Sequence, residues 1–351
     1  MAVKKPTTLY IIGNGFDLHH KLDTWYSTFG LFLKDKHSEI YDYFIKYFGF
    51  SDLYEDDAES LKDQLWSHFE ANLAKLDIDE VLDEHAEFSA NPGSDDFSDG
   101  DWDTIAIYVS QIKDDLTIKM LDLFKQFILK VEYLDESSLD ILNISSDAIF
   151  FNFNYSKSLE YYYKISQSKI LYIHNRAESD DRLILGHGLD PKNFQRKEEK
   201  PPEGLTEEEL DQWRESQSDA FDYSIERGRD ELIDYFTKSF KATSKLIKKN
   251  RLFFKSLKMI DKVFVLGHSL ADVDKEYFDE IIKSIDGKVV WIVSYYKPTE
   301  KEKRRARFNE FGVKNRQIIL VQMNDLRPLL LNKVKLNLRI IFSNLRCTIR
   351  I

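Results

Sequence analysis

A short apolar run that enters a two-glycine turn near the start of the chain constrains the fold more than any other feature. Residues 9–12 are apolar, which predicts a buried strand, and Gly13 and Gly15 follow at once. Glycines let the backbone approach a ligand closely, and amides exposed after a parallel strand can face a bound phosphate. The third glycine of a dinucleotide fingerprint is absent, because Leu18 stands there. A tight strand-to-helix turn without a ligand is the alternative interpretation.

The composition indicates a large folded chain with an acidic balance. Its 351 residues, 42% of them hydrophobic, suffice for one large α/β domain or two smaller ones. The net charge of -11 argues against broad contact with nucleic acid or an anionic membrane, although a local basic groove stays open. The single cysteine, Cys347, excludes an intramolecular disulfide framework and a multi-cysteine zinc module. Since no segment approaches the roughly 20 apolar residues that span a bilayer, we expect a cytoplasmic protein.

Strand and helix patterns alternate along the rest of the chain. Further strands are predicted at 148–151, 169–173, 182–185, 262–266, 288–293 and 317–321. We predict an α/β fold with a mainly parallel sheet in three layers, in which 1–332 form a single nucleotide-binding domain. Within it, about 35–135 form a large helical insertion and about 190–220 a charged surface excursion or lid. Residues 333–351 form a basic tail whose role stays open.

Polar residues follow five of the predicted strands. Ligands of an open parallel sheet bind just beyond the carboxyl ends of its strands. One polar residue there is usually a cap or turn former, but five such ends together favour a ligand site. These residues are Asn14 and Asp17, Asn152 and Asn154, His174, His187, and His268 with Ser269.

The same motifs resemble a known family. Residues 11–18, 153–155 and 266–270 with Asp274, together with Ile173-His174 and Gly186-His-Gly188, are similar in order to the AbiH family of bacteriophage abortive-infection proteins. The resemblance runs from about 9 to 330. It implies bacterial antiphage defence, in which an infected cell stops growing or dies before phage mature. One departure is Asn175, which follows His174 where the family usually has glycine.

The motif order is more distantly similar to the sirtuin fold, including its NAD-cleaving defence members. This resemblance implies a Rossmann-like core with NAD as substrate or ligand. By position, Asn154 would orient the ribose and a water, and His174 would be the base, with His187 as its rival. Deacetylation is less favoured, because sirtuin deacetylases carry a four-cysteine zinc module. The cofactor-binding residues implied are Gly13, Asn14, Gly15, Phe16, Asp17, Tyr155, Gly267, Ser269 and Asp274.

Two other chemistries fit the sequence less well. Residues 267–271 resemble the nucleophile elbow of an α/β-hydrolase, but no histidine follows His268. Adjacent histidines cannot share a helix face, and no histidine pair has metal-ligand spacing, so we predict no metal. We expect surface positions for His19, His20, His37, His68 and His85.

Two functions of different classes stay open. The first is an NAD glycohydrolase that releases ADP-ribose and nicotinamide. The second is a nucleotide-binding sensor or interaction module that acts through a partner without turnover. As partners we predict a nucleotide, no membrane and no nucleic acid. A homo-oligomer and a phage-derived trigger stay open.

Overall fold

The strands form one six-stranded sheet in which all hydrogen-bonded neighbours are parallel. The structure is a computed structural model that describes residues 6–196, 200–219 and 221–327, without the side chains of 217–219. The predicted basic tail, 333–351, lies outside the described residues. The sheet order is β3-β2-β1-β4-β5-β6, so the predicted parallel sheet is confirmed. The strands are β1 (Thr8–Ile12), β2 (Ile149–Asn152), β3 (Ile170–Tyr172), β4 (Lys262–Leu266), β5 (Val290–Tyr295) and β6 (Ile318–Gln322).

Strand β1 lies where the chain changes direction across the sheet. It pairs with β2 on one side and with β4 on the other. Ile12 is in register with both Asn152 and Leu266. The segments that follow these three residues therefore leave the sheet side by side, at a topological switch point.

Residues 182–185 do not form the predicted strand. The Ile184 N–H donates to the His174 carbonyl at 3.0 Å, and the Tyr155 hydroxyl donates to the Ile184 carbonyl at 2.9 Å. A side-chain hydroxyl thus occupies a carbonyl that a neighbouring strand would use. The apolar pattern correctly predicted that Leu183 and Leu185 are buried. It did not predict which groups form hydrogen bonds with the backbone of this segment.

The chain divides into two compact units. Among the described residues, the first comprises 6–28, 125–184 and 242–327 and contains the sheet, and the second comprises those within 29–124 and 185–241. Much of the predicted insertion and of the predicted excursion belongs to the second unit. The first unit holds the helices α1 (Asn14–His19), α9 (Ser158–Tyr163), α12 (Thr243–Lys249), α13 (Arg251–Ser256), α14 (Lys275–Ser284) and α15 (Lys301–Glu310). The second unit holds α3 (Ser38–Phe48), α4 (Gln64–Ser67), α5 (Phe69–Asn72), α6 (Ile78–His85), α7 (Thr104–Asp114), α10 (Glu207–Asp219) and α11 (Tyr223–Lys238). Two further helices include residues of both units: α2 (Tyr26–Lys36) and α8 (Met120–Leu129).

The core of the first unit lies on both faces of the sheet. Successive strand side chains point to opposite faces, so Leu9 and Ile11 enter one cluster and Tyr10 and Ile12 the other. Residues of α13, α14 and α15 complete the first cluster, and residues of α1 and α9 complete the second. A parallel sheet covered on both faces explains why its strands read as continuous apolar runs.

Aromatic rings dominate the core of the second unit. Trp66 stacks on Phe69 with ring centroids 5.9 Å apart, and Phe44 packs against both. Helix α11 packs along α7, where the buried Lys113 pairs with Glu231. The second unit therefore has its own aromatic core.

The expectation of surface histidines is wrong for His20, which is fully buried. Its Nδ1 donates to the Phe16 carbonyl at 2.7 Å, and its Nε2 accepts from the Tyr163 hydroxyl at 2.6 Å. The ring stacks on Tyr162 with centroids 5.2 Å apart. His20 is thus a core residue that holds the end of α1, a role that its neighbours in sequence do not reveal.

This burial predicts a specific acid sensitivity. Desolvation lowers the pKa of His20 to about 4 from its ordinary 6.5, so the folded protein excludes a proton that the unfolded chain accepts. The stability contributed by neutral His20 is present above pH 6.5 and is lost as the pH falls through about 4. We expect His20→Gln to remove about 3 kcal/mol of this pH dependence in urea unfolding measured from pH 7 to pH 4. The exposed His68, changed to Gln, is the control, and parallel pH curves for His20→Gln and the unmodified protein would contradict the assignment.

Candidate functional site

The β1–α1 and β4–α14 loops pack backbone against backbone. The Gly13 N–H donates to the Leu266 carbonyl at 3.0 Å, and the Gly15 N–H donates to the Gly267 carbonyl at 2.8 Å. A Cβ atom on Gly13 would lie 2.6 Å from the His268 Cα, and one on Gly15 would lie 2.8 Å from the Gly267 oxygen. The two glycines of the opening motif are therefore required for the close approach of these loops.

Three amides of the two-glycine turn, residues 13–16, are engaged within the protein. Besides those of Gly13 and Gly15, the Phe16 N–H donates to the Gly13 carbonyl at 2.8 Å. The Phe16 side chain is fully buried in the core. The sequence predicted that these amides would be exposed and could face a bound phosphate. In this conformation they instead donate to the protein's own carbonyls.

Two polar side chains of α1 hold neighbouring segments. Asn14 donates through Nδ2 to the Thr24 carbonyl at 2.8 Å and accepts through Oδ1 from the Thr24 hydroxyl at 2.7 Å. The Asp17 carboxylate accepts from the hydroxyls of Ser156 at 2.5 Å and Ser158 at 2.6 Å. Asp17 thus ties α1 to the segment after β2.

The Asp17 carboxyl is buried at this tie. Burial raises its pKa above the ordinary value, while Ser156, Ser158 and the side chain of Asn154 each act to lower it. Since the carboxyl is hidden from solvent, its role in this conformation is to orient the residues that follow β2.

Histidines from two different strand ends converge on one aromatic ring. We call Phe153, Tyr155, His174, His268 and Tyr277 the strand-end cluster. The Phe153 ring lies edge-on to His174 at 5.5 Å, to His268 at 4.3 Å and to Tyr277 at 5.5 Å between centroids. Tyr155 stacks beside His174 at 6.0 Å. The structure therefore brings together the predicted site residues Tyr155 and His174.

Two buried asparagines border this cluster. The Asn152 Oδ1 accepts from the Asn154 N–H at 3.0 Å. The Nδ2 atoms of both side chains are buried without a hydrogen bond of standard geometry. A buried amide donor without a partner costs about 1–3 kcal/mol, so the Asn152 Nδ2 is unusual in a folded interior, whereas the Asn154 side chain acts on the Asp17 carboxyl. The chemistry of these donors fits recognition of a hydroxyl or carbonyl oxygen.

His268 forms a carboxylate pair that the sequence analysis did not identify. Its Nε2 lies 3.4 Å from an Asp274 oxygen, and its Nδ1 accepts from the Leu270 N–H at 2.9 Å. Because Nδ1 accepts, the proton of the neutral ring lies on Nε2, toward Asp274. Both nitrogens are engaged within one loop, so His268 orders that loop rather than acting as a base. The carboxylate six positions after a strand-end histidine was the available signal.

The other predicted residues after β4 differ in exposure. Gly267 adopts a φ of +67°, in the left-handed region that favours glycine, and Ser269 is exposed. Asp274 is buried, facing His268. Ser269 is therefore the residue of this group that is open to solvent.

His187 belongs to the second unit. Its Nε2 donates to the Phe236 carbonyl at 3.0 Å, and burial lowers its pKa. Its backbone accepts from the Lys241 N–H and donates to the Ser239 carbonyl. The contacts described for His187 thus hold its own unit together, whereas Asn154 and His174 belong to the first unit.

The backbone conformation at Asn175 explains why asparagine fits where the family usually has glycine. It has a φ of +64°, which asparagine tolerates better than most residues. Its Nδ2 donates to the Arg182 carbonyl at 2.7 Å. The turn after His174 therefore keeps the backbone conformation that glycine would favour.

Two features are absent from the described residues. None of their helices is long and apolar enough to cross a membrane. Within the same ranges, no group of three or more His, Cys, Asp or Glu residues is placed to hold a metal ion.

Fold and site together define an α/β protein with a parallel sheet and a polar and aromatic cluster at its strand ends. The family described as Bacteriophage abortive infection AbiH matches residues 9–295, a segment that contains all of these strand-end residues. The chain belongs to the AbiH family, which connects it with abortive infection as an antiphage defence. No curated protein and no solved structure matches the chain.

Proposed function

We propose that this chain is an abortive-infection effector whose first unit binds NAD and hydrolyses it to ADP-ribose and nicotinamide. The observation that carries the proposal is the sheet order β3-β2-β1-β4-β5-β6. It is the order of Rossmann-like dinucleotide-binding folds, which bind their ligand at the switch point beyond the carboxyl ends of the strands. The strand-end cluster and the two buried asparagines follow these same ends. This supports a sirtuin-like arrangement of the core.

The proposed chemistry needs orientation and one proton acceptor. The bond between the nicotinamide nitrogen and ribose C1′ breaks through an oxocarbenium-like state, and the electron pair leaves with the nitrogen. A water oxygen bonds to C1′ and passes its proton to His174. Asn154 holds the ribose hydroxyls and this water through its buried amide, and Tyr155 supports the histidine ring.

The glycine loops have an indirect role in this proposal. Gly13, Gly15 and Gly267 bring the two loops together, and in this proposal their packing holds the loops in place instead of cradling a phosphate. Ser269, which is exposed in the loop between β4 and α14, makes the contact with the pyrophosphate. Asp274 holds the loop through His268.

A second candidate is a nucleotide-binding module that acts through a partner without turnover. The burial of Asn154 and His174 favours it, because the groups that turnover would need are hidden from solvent in this conformation. Both candidates place the nucleotide at the same strand ends.

One experiment separates the two candidates. The purified full chain is incubated with NAD, with and without lysate of infected cells, and nicotinamide is measured by chromatography while NAD binding is measured by calorimetry. Nicotinamide release supports the hydrolase. Binding without release under either condition supports the module. If the protein neither binds NAD nor releases nicotinamide, both nucleotide functions are overturned.

A further inference from the structure

We propose that Arg304 and Arg307 of α15 are positioning residues that hold the β4 loop, residues 267–272, in the conformation that the nucleotide site uses. The inference rests on the proposed function, because that loop presents Ser269 to the ligand. Neither arginine carries a recognisable motif, and both lie more than thirty positions after the loop that they contact.

The two arginines bind alternate carbonyls of the loop. Arg304 donates to the His268 carbonyl, and Arg307 donates through Nε to the Leu270 carbonyl at 3.1 Å and through Nη2 to the Asp272 carboxylate. Residues three apart on a helix share a face, so both side chains reach the same loop. The loop carbonyls on either side of Ser269 are therefore both fixed from α15.

The loop backbone is strained at a bulky residue. Leu270 adopts a φ of +63°, a conformation that a branched apolar residue avoids and that persists only where its surroundings over-determine it. Here its side chain is buried, its N–H donates to His268, and its carbonyl accepts from Arg307. Strain maintained in this way is characteristic of loops that are preorganised for a ligand.

The cation of Arg304 is retained despite the cost of its burial. Its side chain is 19% exposed, and burial lowers its pKa, while Glu300 lies 3.5 Å from Nη2. A guanidinium can bond a carbonyl and a carboxylate at once, which an ammonium does less well. The loop is also held from β5, since the Gly267 N–H donates to the Ser294 hydroxyl at 2.8 Å. Anchors on two sides leave the exposed Ser269 between fixed neighbours.

The test compares methionine variants of neighbouring arginines on one helix. Arg304→Met and Arg307→Met keep an apolar stem but remove the donors, and Arg305→Met is the control, because no hydrogen bond from Arg305 to the loop occurs among the described residues. Two quantities are measured on the full chain: hydrogen exchange at the Gly267 and Leu270 amides, and the Kd for NAD. Thermal unfolding checks that each variant is folded. If the methionine variants are not folded, Arg304→Lys and Arg307→Lys replace them in the same measurements.

We expect both methionine variants to accelerate exchange at the two amides by about tenfold and to weaken NAD binding by about tenfold, with exchange in the sheet unchanged. Arg305→Met should change neither quantity. Unchanged loop exchange overturns the proposal, and so does faster exchange with an unchanged Kd. If the unmodified protein does not bind NAD, the proposed function fails, and the exchange measurement alone decides whether the arginines hold the loop.

Discussion

His174→Ala is expected to slow nicotinamide release by about 100-fold to 10,000-fold, the contribution typical of a general base. Its ring lies edge-on to Phe153 and beside Tyr155, and in the proposed reaction these aromatic neighbours fix its orientation. Asn154→Ala should cause a loss of similar size, because it removes the buried amide that the proposed function assigns to orienting the attacking water. Release is measured in single-turnover assays, so that the chemical step is observed directly.

His187, the alternative candidate for the base, supplies the control for His174→Ala and Asn154→Ala. His187→Ala removes a buried histidine of the second unit, and we expect the release rate to persist if the variant folds. Circular dichroism and thermal unfolding confirm folding for all three variants. A normal rate for folded His174→Ala contradicts the assignment. If the rate is instead lost in folded His187→Ala, the base is His187.

Gly267→Ala is expected to destabilise the protein by about 4 kcal/mol or more, enough to prevent folding. Its φ of +67° disfavours any side chain, and a Cβ there would lie 2.1 Å from the Phe16 nitrogen and 2.4 Å from the Gly15 carbonyl carbon. These are backbone atoms of a packed loop, so they cannot rotate away. The free energy of unfolding in urea and the yield of folded protein measure the effect.

A matched glycine separates the clash from the backbone conformation. Gly49, after α3, has a φ of +68° with no atom within 4 Å of the added Cβ. Gly49→Ala should therefore cost only about 1 kcal/mol, the penalty for the left-handed conformation alone. Equal losses for Gly49→Ala and Gly267→Ala would show that the two loops separate easily and that their packing contributes little.

The sequence predicted the sheet well because burial on both faces leaves a local record. The runs around 9–12 and 262–266 are apolar, and their lengths match strands. The segment 182–185 has the same apolar character but is not a strand, since Tyr155 and His174 supply its hydrogen bonds. Periodicity reports which side chains are buried, but it does not report which groups bond the backbone.

The sequence by itself determined the parallel α/β sheet, the family and the set of polar residues that follow its strands. Only the tertiary structure decided what those residues contact. Asp17 meets a hydroxyl 139 positions away, and the amides of Gly13 and Gly15 donate to the carbonyls of Leu266 and Gly267. Such bonds depend on distances and angles between segments remote in the chain, and no local pattern encodes them. The two-glycine turn is therefore a site of backbone packing first, and its part in nucleotide binding is a proposal that rests on its place at the switch point of the sheet.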